Sequence, residues 1–341
     1  MHLGFFYNTL ACNIYILSLF SYVGQLATAN SDVDKFLKHM TAKMFAGPGN
    51  WIPLDFLCSL KLIGMPVSLR NLSDTMYASK VRVAGKLEGY TQQIVNDLLL
   101  SVSAFNQNHG TDHSHAAWHA NALGVNVRLA EQQYKVEPCY SKSPFNKLLI
   151  KRKGQTQLSQ KKIYQALDSV RYPWRKAKLI ELIRIRMGRF KLPLPINYIA
   201  QRAYSRLNLL KGRVPPSVLV VYMKALINGW VTSGRMRTIN KVSRDNLPKC
   251  LFCKAENDSL DHMVNCTVIR DIFRRGGSPI QCNIEFFGLH ERCTVAKLLA
   301  RHARVLAVVY SVYNALSHHP PSLPPLLLQD LVNAAFQCMY A

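Results

Sequence analysis

Apolar residues recur at helical spacing along most of the chain, which predicts a mostly α-helical fold built from many helices. Residues 9–27 form one apolar helix in this interpretation. Residues 32–46 form a second helix, which ends before Gly47-Pro48-Gly49. The same pattern predicts further helical segments at 53–62, 68–86 and 90–106, after Pro173, and at 197–211.

Shifts in composition divide the chain into five segments. The sharpest change is a stretch rich in Pro, Ser, Gly and Lys at 138–160, which is typical of a linker. The predicted segments are a helical region at 1–135, a linker at 136–160, a basic helical region at 161–245, a Cys/His segment at 246–275 and a C-terminal helical region at 276–341.

Positive charge is concentrated in the middle of the chain. The 341 residues carry a formal net charge of +24, and residues 141–213 hold nineteen Lys or Arg against two acidic residues. A positive field of this size attracts polyanions, of which nucleic acid is the commonest. Two alternatives stay open at this point: an anionic membrane surface, and a basic face that serves only solubility.

Helices with basic stripes hold cations along a surface, as phosphate binding requires. On a helical wheel Arg175, Lys178, Arg186 and Arg189 fall on one stripe, broadly opposite Trp174, Ala177 and Ile183. The next predicted helix carries two arginines one turn apart. The candidate phosphate contacts are Arg175, Lys178, Arg186, Arg189, Arg202, Arg206, Arg235 and Arg237.

The N-terminal apolar run has two interpretations. Small residues follow it, as in a signal peptide, but no Lys or Arg precedes it, because the first is Lys35. Polar residues interrupt the run, which argues against a membrane-spanning helix. We expect a buried helix and a nuclear protein without membrane association; the alternative is a targeting segment on a membrane-associated or secreted protein.

The strongest chemical signal is a Cys-x2-Cys-x8-His-x3-Cys pattern at 250–266. Two cysteines separated by two residues turn both sulfurs inward on a tight loop, and Asp258 or Ser259 can cap a helix that presents the His and the last Cys on one face. Four ligands with no open position are typical of a structural zinc site, with no zinc-based catalysis. The predicted zinc ligands are Cys250, Cys253, His262 and Cys266.

A second group of possible metal ligands lies in a polar stretch at 107–119. It contains His109, His113, His115 and His119. An exposed loop is the preferred interpretation because no partner ligand or framework is evident, and a metal site is the alternative.

Several segments resemble the C-terminal part of non-LTR (LINE-type) retrotransposon reverse transcriptases. ALINGWVTSGRMR at 225–237, followed by the Cys/His pattern, is similar to their zinc-binding tail, and VLAVVYSVYNALSHH at 305–319 stands where they carry a closing helix. YNTLACNIYILSLFSYVGQL at 7–26, GPGNWIPLDFLCSLKLIGMP at 47–66 and the helix carrying Arg82 resemble their thumb. The resemblance implies a thumb-like region at 1–135 and a nucleic-acid-binding tail.

The polymerase activity of that family does not carry over. Nucleotidyl transfer needs carboxylates that hold two divalent ions, and the chain contains no Asp-Asp pair and nothing that resembles the palm. Nor does it contain a G-x-x-x-x-G-K-[ST], G-x-S-x-G or H-E-x-x-H string. We therefore expect a protein that binds template RNA or target DNA, with no small-molecule substrate and no catalytic residues.

Overall fold

The structure is a computed structural model. It describes residues 4–25, 31–45, 51–87, 149–152, 155–158, 160–161, 164–165, 168, 172, 174–190, 192–233, 235–236, 248–318 and 325–340. These residues belong to two compact units. The first comprises Met1–Thr9, Ala42–Ser68 and Trp174–Ala341, and the second comprises Leu10–Thr41 and Leu69–Pro173. Residues 42–68, which the sequence places in the N-terminal region, therefore belong with the C-terminal half.

Helices dominate the described residues, which confirms the mostly α-helical fold. The α-helices are α1 (Gly4–Ala11), α2 (Leu17–Val23), α3 (Ser31–Met44), α4 (Leu54–Cys58), α5 (Leu72–Leu87), α6 (Arg175–Met187), α7 (Ile196–Leu210), α8 (Pro216–Leu226), α9 (Leu260–Asn265), α10 (Thr267–Arg275), α11 (Asn283–Phe286), α12 (Ala296–His318) and α13 (Pro325–Tyr340). A π-helical turn at Cys12–Ile16 joins α1 to α2, and 3-10 turns lie at Leu60–Ile63, Gly188–Phe190 and Glu291–Thr294.

Prolines mark several helix starts. Pro53 and Pro195 directly precede α4 and α7, and Pro216 and Pro325 are the first residues of α8 and α13. Proline suits this place because the first helical N–H groups have no partner within the helix and its φ is already helical. The helix predicted at 197–211 is confirmed, and it begins at Ile196.

One β-hairpin lies within the stretch predicted as a linker. Strand β1 (Leu149–Arg152) pairs antiparallel with β2 (Gln155–Leu158), with Leu149 opposite Leu158 and Arg152 opposite Gln155. The strands are four residues long and rich in Lys, Arg and Gln, so neither length nor β-propensity distinguishes them from a polar linker.

The second unit packs α2 against α5. Ser21 and Ser79 join them through their hydroxyl oxygens, which lie 2.9 Å apart. Gly24 follows α2 at a point where an added Cβ would lie 2.5 Å from the Cα of Met76, so only glycine fits this contact. The predicted 9–27 and 68–86 helices are thus confirmed, and the segments at 90–106 and 107–119 lie outside the described residues.

The first unit has its core around α8 and α12. Tyr222 on α8 is fully buried and donates its hydroxyl to the carbonyl of Phe287 at 2.8 Å. Trp230 is also fully buried and contacts the ring of Tyr310 on α12, with centroids 4.9 Å apart. Aromatic side chains bury large apolar areas, so this cluster sets where the segment after α8 runs.

None of the helices among the described residues combines the length and the apolar character needed to cross a bilayer.

Candidate metal centre and basic surfaces

The Cys/His segment folds as a tight loop followed by the short helix α9. Lys249 and Asn257 form a β-bridge, and the backbone N–H of Cys250 donates to the carbonyl of Glu256 at 2.6 Å. The Ser259 hydroxyl then caps α9 by accepting the N–H of His262 at 3.1 Å. Of the two caps that the sequence offered, Ser259 is therefore the one used.

The loop and the helix bring four donor atoms to one point. The sulfurs of Cys250, Cys253 and Cys266 and one ring nitrogen of His262 all lie within 4.8 Å of one another. Cys250 and Cys266 are each 1% exposed and His262 is 8% exposed, so the donors face inward. The ligands of a tetrahedral ion with bonds of about 2.0–2.3 Å are spaced in this way, and the set can hold a metal ion.

Hydrogen bonds around the donors favour the metal-binding form of one cysteine, Cys250. The thiol of Cys266 and the backbone N–H groups of Cys253 and Phe252 stabilise the thiolate of Cys250, and they lower its pKa to about 5 although burial opposes this. A thiolate, not a thiol, is the form that binds a metal. Cys250 is therefore the sulfur that most readily takes this form, whereas the hydrogen bond to Cys250 and burial raise the pKa of Cys266.

Glu256 orients the histidine, a role the sequence did not predict. Its Oε2 lies 2.9 Å from Nδ1 of His262, so the carboxylate accepts the proton on Nδ1. This leaves Nε2, which lies 3.1 Å from the Cys253 sulfur, as the nitrogen donor. Metal-bound histidines usually hold such a carboxylate partner, which fixes their tautomer and ring orientation.

Asp258 is a second functional candidate that the sequence did not predict. It is 2% exposed, and its Oδ2 accepts the backbone N–H of Ser233 at 2.8 Å and the hydroxyl of Tyr313 at 2.6 Å. Its Oδ1 is buried and has no hydrogen-bond partner among the described residues. The adjacent Asp-Ser pair was the only sequence signal, and it suggests a cap rather than a long-range contact.

Arg202 and Arg206, named here the internal arginine pair, share one face of α7, as predicted. That face contacts residues 289–291 rather than solvent. Arg202 donates Nη1 to the carbonyl of Leu289 at 2.8 Å and pairs with the carboxylate of Glu291. Arg206 is 6% exposed, and its Nη2 lies 3.3 Å from the carbonyl of His290.

Arg175 does not lie on the surface stripe that was predicted for α6. Arg175 lies on the buried face of the helix with Leu179 and Ile183, whereas Ala177, which was expected opposite the basic stripe, is exposed. The buried face is set by packing of α6 against α7, which a helical wheel of α6 alone does not contain.

Lys178 is exposed and has partners within its own unit. Its ammonium lies 3.8 Å from the ring centroid of Trp174 and 3.5 Å from a carboxylate oxygen of Asp55. Both contacts are open to solvent, so an anionic ligand can compete for this lysine.

Arg186, Arg189 and Arg235, named here the arginine cluster, come together from the end of α6 and the turn at 232–236. Burial lowers the pKa of Arg235, and the positive charges of Arg186 and Arg189 lower it further. Burial followed by the charge of Arg189 also lowers the pKa of Arg186. Like charges therefore lie near enough to one another here to act on each other's pKa.

Arg235 is the most confined member of the cluster. It is 8% exposed, its Nε is buried, and its side chain has no hydrogen-bond partner and no carboxylate within ion-pair distance among the described residues. Arg189 is exposed and likewise forms no ion pair with the described part of the chain. Arg237 lies outside the described residues.

Comparisons with models of protein families, with curated proteins and with solved structures give no match to this chain.

Proposed function

We propose that this protein binds nucleic acid through its phosphates and that its Cys/His centre holds a structural zinc ion. The arginine cluster is the observation that carries the binding proposal. A buried guanidinium is costly without an anionic partner, and two further arginines beside it raise that cost. A phosphate group supplies the missing charge and matches the fork of N–H donors on arginine.

Zinc is the proposed ion because the donor set is three sulfurs and one imidazole nitrogen. Soft thiolate ligands in a closed set of four favour zinc in a structural role. When bound, the ion would cross-link the loop at 250–253 to α9 and supply no catalysis. Elemental analysis of the purified protein is expected to give one zinc per chain, and Cys266→Ser is expected to abolish retention; a metal-free folded protein would contradict the proposal.

The resemblance to the post-palm part of non-LTR reverse transcriptases supports binding as the function rather than nucleotidyl transfer. The segment that resembles the family's zinc-binding tail, 225–237, contains Arg235 itself. After a further ten residues the sequence reaches the loop at 248–259, named the metal loop, which carries Cys250 and Cys253. Template RNA and target DNA are both candidate ligands, and a nuclear location follows from either.

Titration of the full chain with labelled single-stranded RNA, single-stranded DNA and duplex DNA tests the binding proposal. Affinity is expected to fall steeply as salt rises, because each neutralised phosphate releases condensed counterions. Preference among the three probes would identify the substrate. An absence of binding at low salt, or an affinity that does not respond to salt, would refute the proposal.

A further inference from the structure

We infer that the metal loop holds the arginine cluster in a phosphate-binding arrangement through Asp258, so that loss of the ion weakens phosphate binding at a distance. This inference rests on the proposed function, since it assigns a regulatory link to the same site.

Asp258 belongs to the metal loop by sequence and by backbone contacts. It lies between Cys253 and His262, directly before the cap of α9. Its N–H donates to the carbonyl of Pro248 at 3.0 Å, which closes the loop beside the β-bridge. Because the loop is short and irregular, its shape depends on the ion that joins its four donors. The position of the Asp258 carboxylate therefore depends on the same ion.

The carboxylate of Asp258 reaches the turn that carries Arg235. Oδ2 accepts the N–H of Ser233, the residue after Thr232. The carbonyl of Thr232 in turn accepts the N–H groups of Arg235 and Met236 at 3.0 and 2.9 Å, so these residues form one hydrogen-bonded turn. Fixing Ser233 thus fixes the backbone from which Arg235 extends.

Tyr313 on α12 completes the link. Its hydroxyl lies 2.6 Å from Oδ2 of Asp258 and 3.1 Å from the carbonyl of Val231, so the same side chain contacts the metal loop and the start of the turn. Tyr313 is itself buried in the core of the unit. The turn is therefore held between a rigid helix and a loop whose order depends on the ion.

Without the Asp258 contact, the part-buried Ser233 N–H loses its partner and Arg235 gains freedom to move. Three arginines that repel one another need such a framework to stay together, because no carboxylate of the described chain pairs with Arg235 or Arg189. The ion then acts on phosphate affinity without touching the ligand.

Asp258→Ala and Asp261→Ala form a matched pair that separates this link from simple charge effects. Both remove one negative charge close to the four donors, but Asp261 is exposed on α9, whereas Asp258 accepts the N–H of Ser233. If charge alone matters, both variants bind a labelled single-stranded oligonucleotide more tightly. We expect Asp258→Ala to bind it about tenfold more weakly, within the usual range of coupling between two sites, and Asp261→Ala not to do so.

Two controls distinguish the possible failures. Cobalt loaded in place of zinc has an absorption spectrum that reports the metal centre, so it shows whether the Asp258→Ala protein is folded and metal-loaded. Asp258→Asn keeps an acceptor oxygen, and its affinity for the oligonucleotide should lie between those of the wild type and the alanine variant. Arg189→Gln tests the phosphate site itself. If Arg189→Gln binds as the wild type does, the proposed function fails. If it binds more weakly while metal removal and Asp258→Ala leave affinity unchanged, only the link is overturned.

Discussion

Arg202 and Arg206 lie along α7 with the carbonyls of Leu289 and His290 and the carboxylate of Glu291 around them, whereas Arg235 lies near the like charges of Arg186 and Arg189. Both groups belong to the same compact unit, and in the sequence both are basic residues near aromatic and apolar ones. The first group is neutralised within the fold, whereas Arg189 and Arg235 form no ion pair with the described part of the chain. The difference shows that the partner of an arginine, rather than its place on a helix, decides whether its charge can act outward.

The largest expected effect on this difference comes from lowering the pH, because acid weakens the packing around the internal arginine pair. His302 on α12 is fully buried; it accepts from Ser278 at Nδ1 and donates from Nε2 to the carbonyl of Phe286, three residues before Leu289. Burial first, then the charge of His290, lowers its pKa from 6.5 to about 4.

The direction of the pH effect follows from linkage. The unfolded chain binds a proton at this histidine below pH 6.5, whereas the folded chain does not until about pH 4. The stabilisation is therefore complete above 6.5 and is lost as pH falls to 4, by about 3 kcal/mol. Urea unfolding across this range measures it, and His302→Gln should remove that part of the pH dependence. Parallel curves for the two proteins would contradict the assignment.

The sequence predicts the grouping of the four Cys and His donors well because its signal is local. Cys250, Cys253, His262 and Cys266 fall within seventeen residues, and a tight turn followed by a capped helix is enough to bring them together. The helix α7 is equally local, since apolar spacing defines it without knowledge of its neighbours.

The contacts of the arginines are not local, because they join residues that are far apart in the sequence. Arg202 contacts Leu289, 87 residues away, and the contact of Asp258 with Tyr313 spans 55 residues. No spacing rule within a helix encodes such contacts. The predicted place of Arg175 on a surface stripe of α6 was wrong for the same reason, because its burial depends on the packing of α6 against α7.

Replacement of Arg202 by methionine should destabilise the protein. Methionine keeps the apolar stem but leaves the Leu289 carbonyl without its donor and breaks the pair with Glu291, and we expect a loss of about 2 kcal/mol in the free energy of unfolding. Arg189→Met is the matched control and should stay within about 0.5 kcal/mol, because Arg189 is exposed. Urea unfolding at pH 7 measures both. Equal losses would mean that the two groups of arginines do not differ in their contribution to the fold.

A double variant of the arginine cluster should affect nucleic-acid binding rather than the free energy of unfolding. Arg186→Gln with Arg189→Gln is expected to weaken nucleic-acid binding about tenfold and to lower the slope of log affinity against log salt by about 0.7–0.9 for each phosphate that the protein no longer neutralises. The control is Arg292→Gln with Lys297→Gln, which removes the same charge from other exposed positions. If both double variants change the slope equally, binding follows net charge and the cluster has no special role.

The smallest expected effect comes from Glu291→Gln, which removes the acidic partner of Arg202 without altering its other contact. The pair with Arg202 lowers the pKa of Glu291, so this carboxylate is charged at neutral pH and neutralises the arginine. Because the Leu289 carbonyl still holds the guanidinium in place, the freed charge stays on the inner face of α7. We therefore expect nucleic-acid affinity to change by less than about twofold and the salt slope to stay the same, as is usual when an exposed ion pair is removed. A steeper dependence of affinity on salt would mean that Arg202 contacts phosphate once residue 291 is neutral. The internal arginine pair would then contribute to nucleic-acid binding rather than only to the fold.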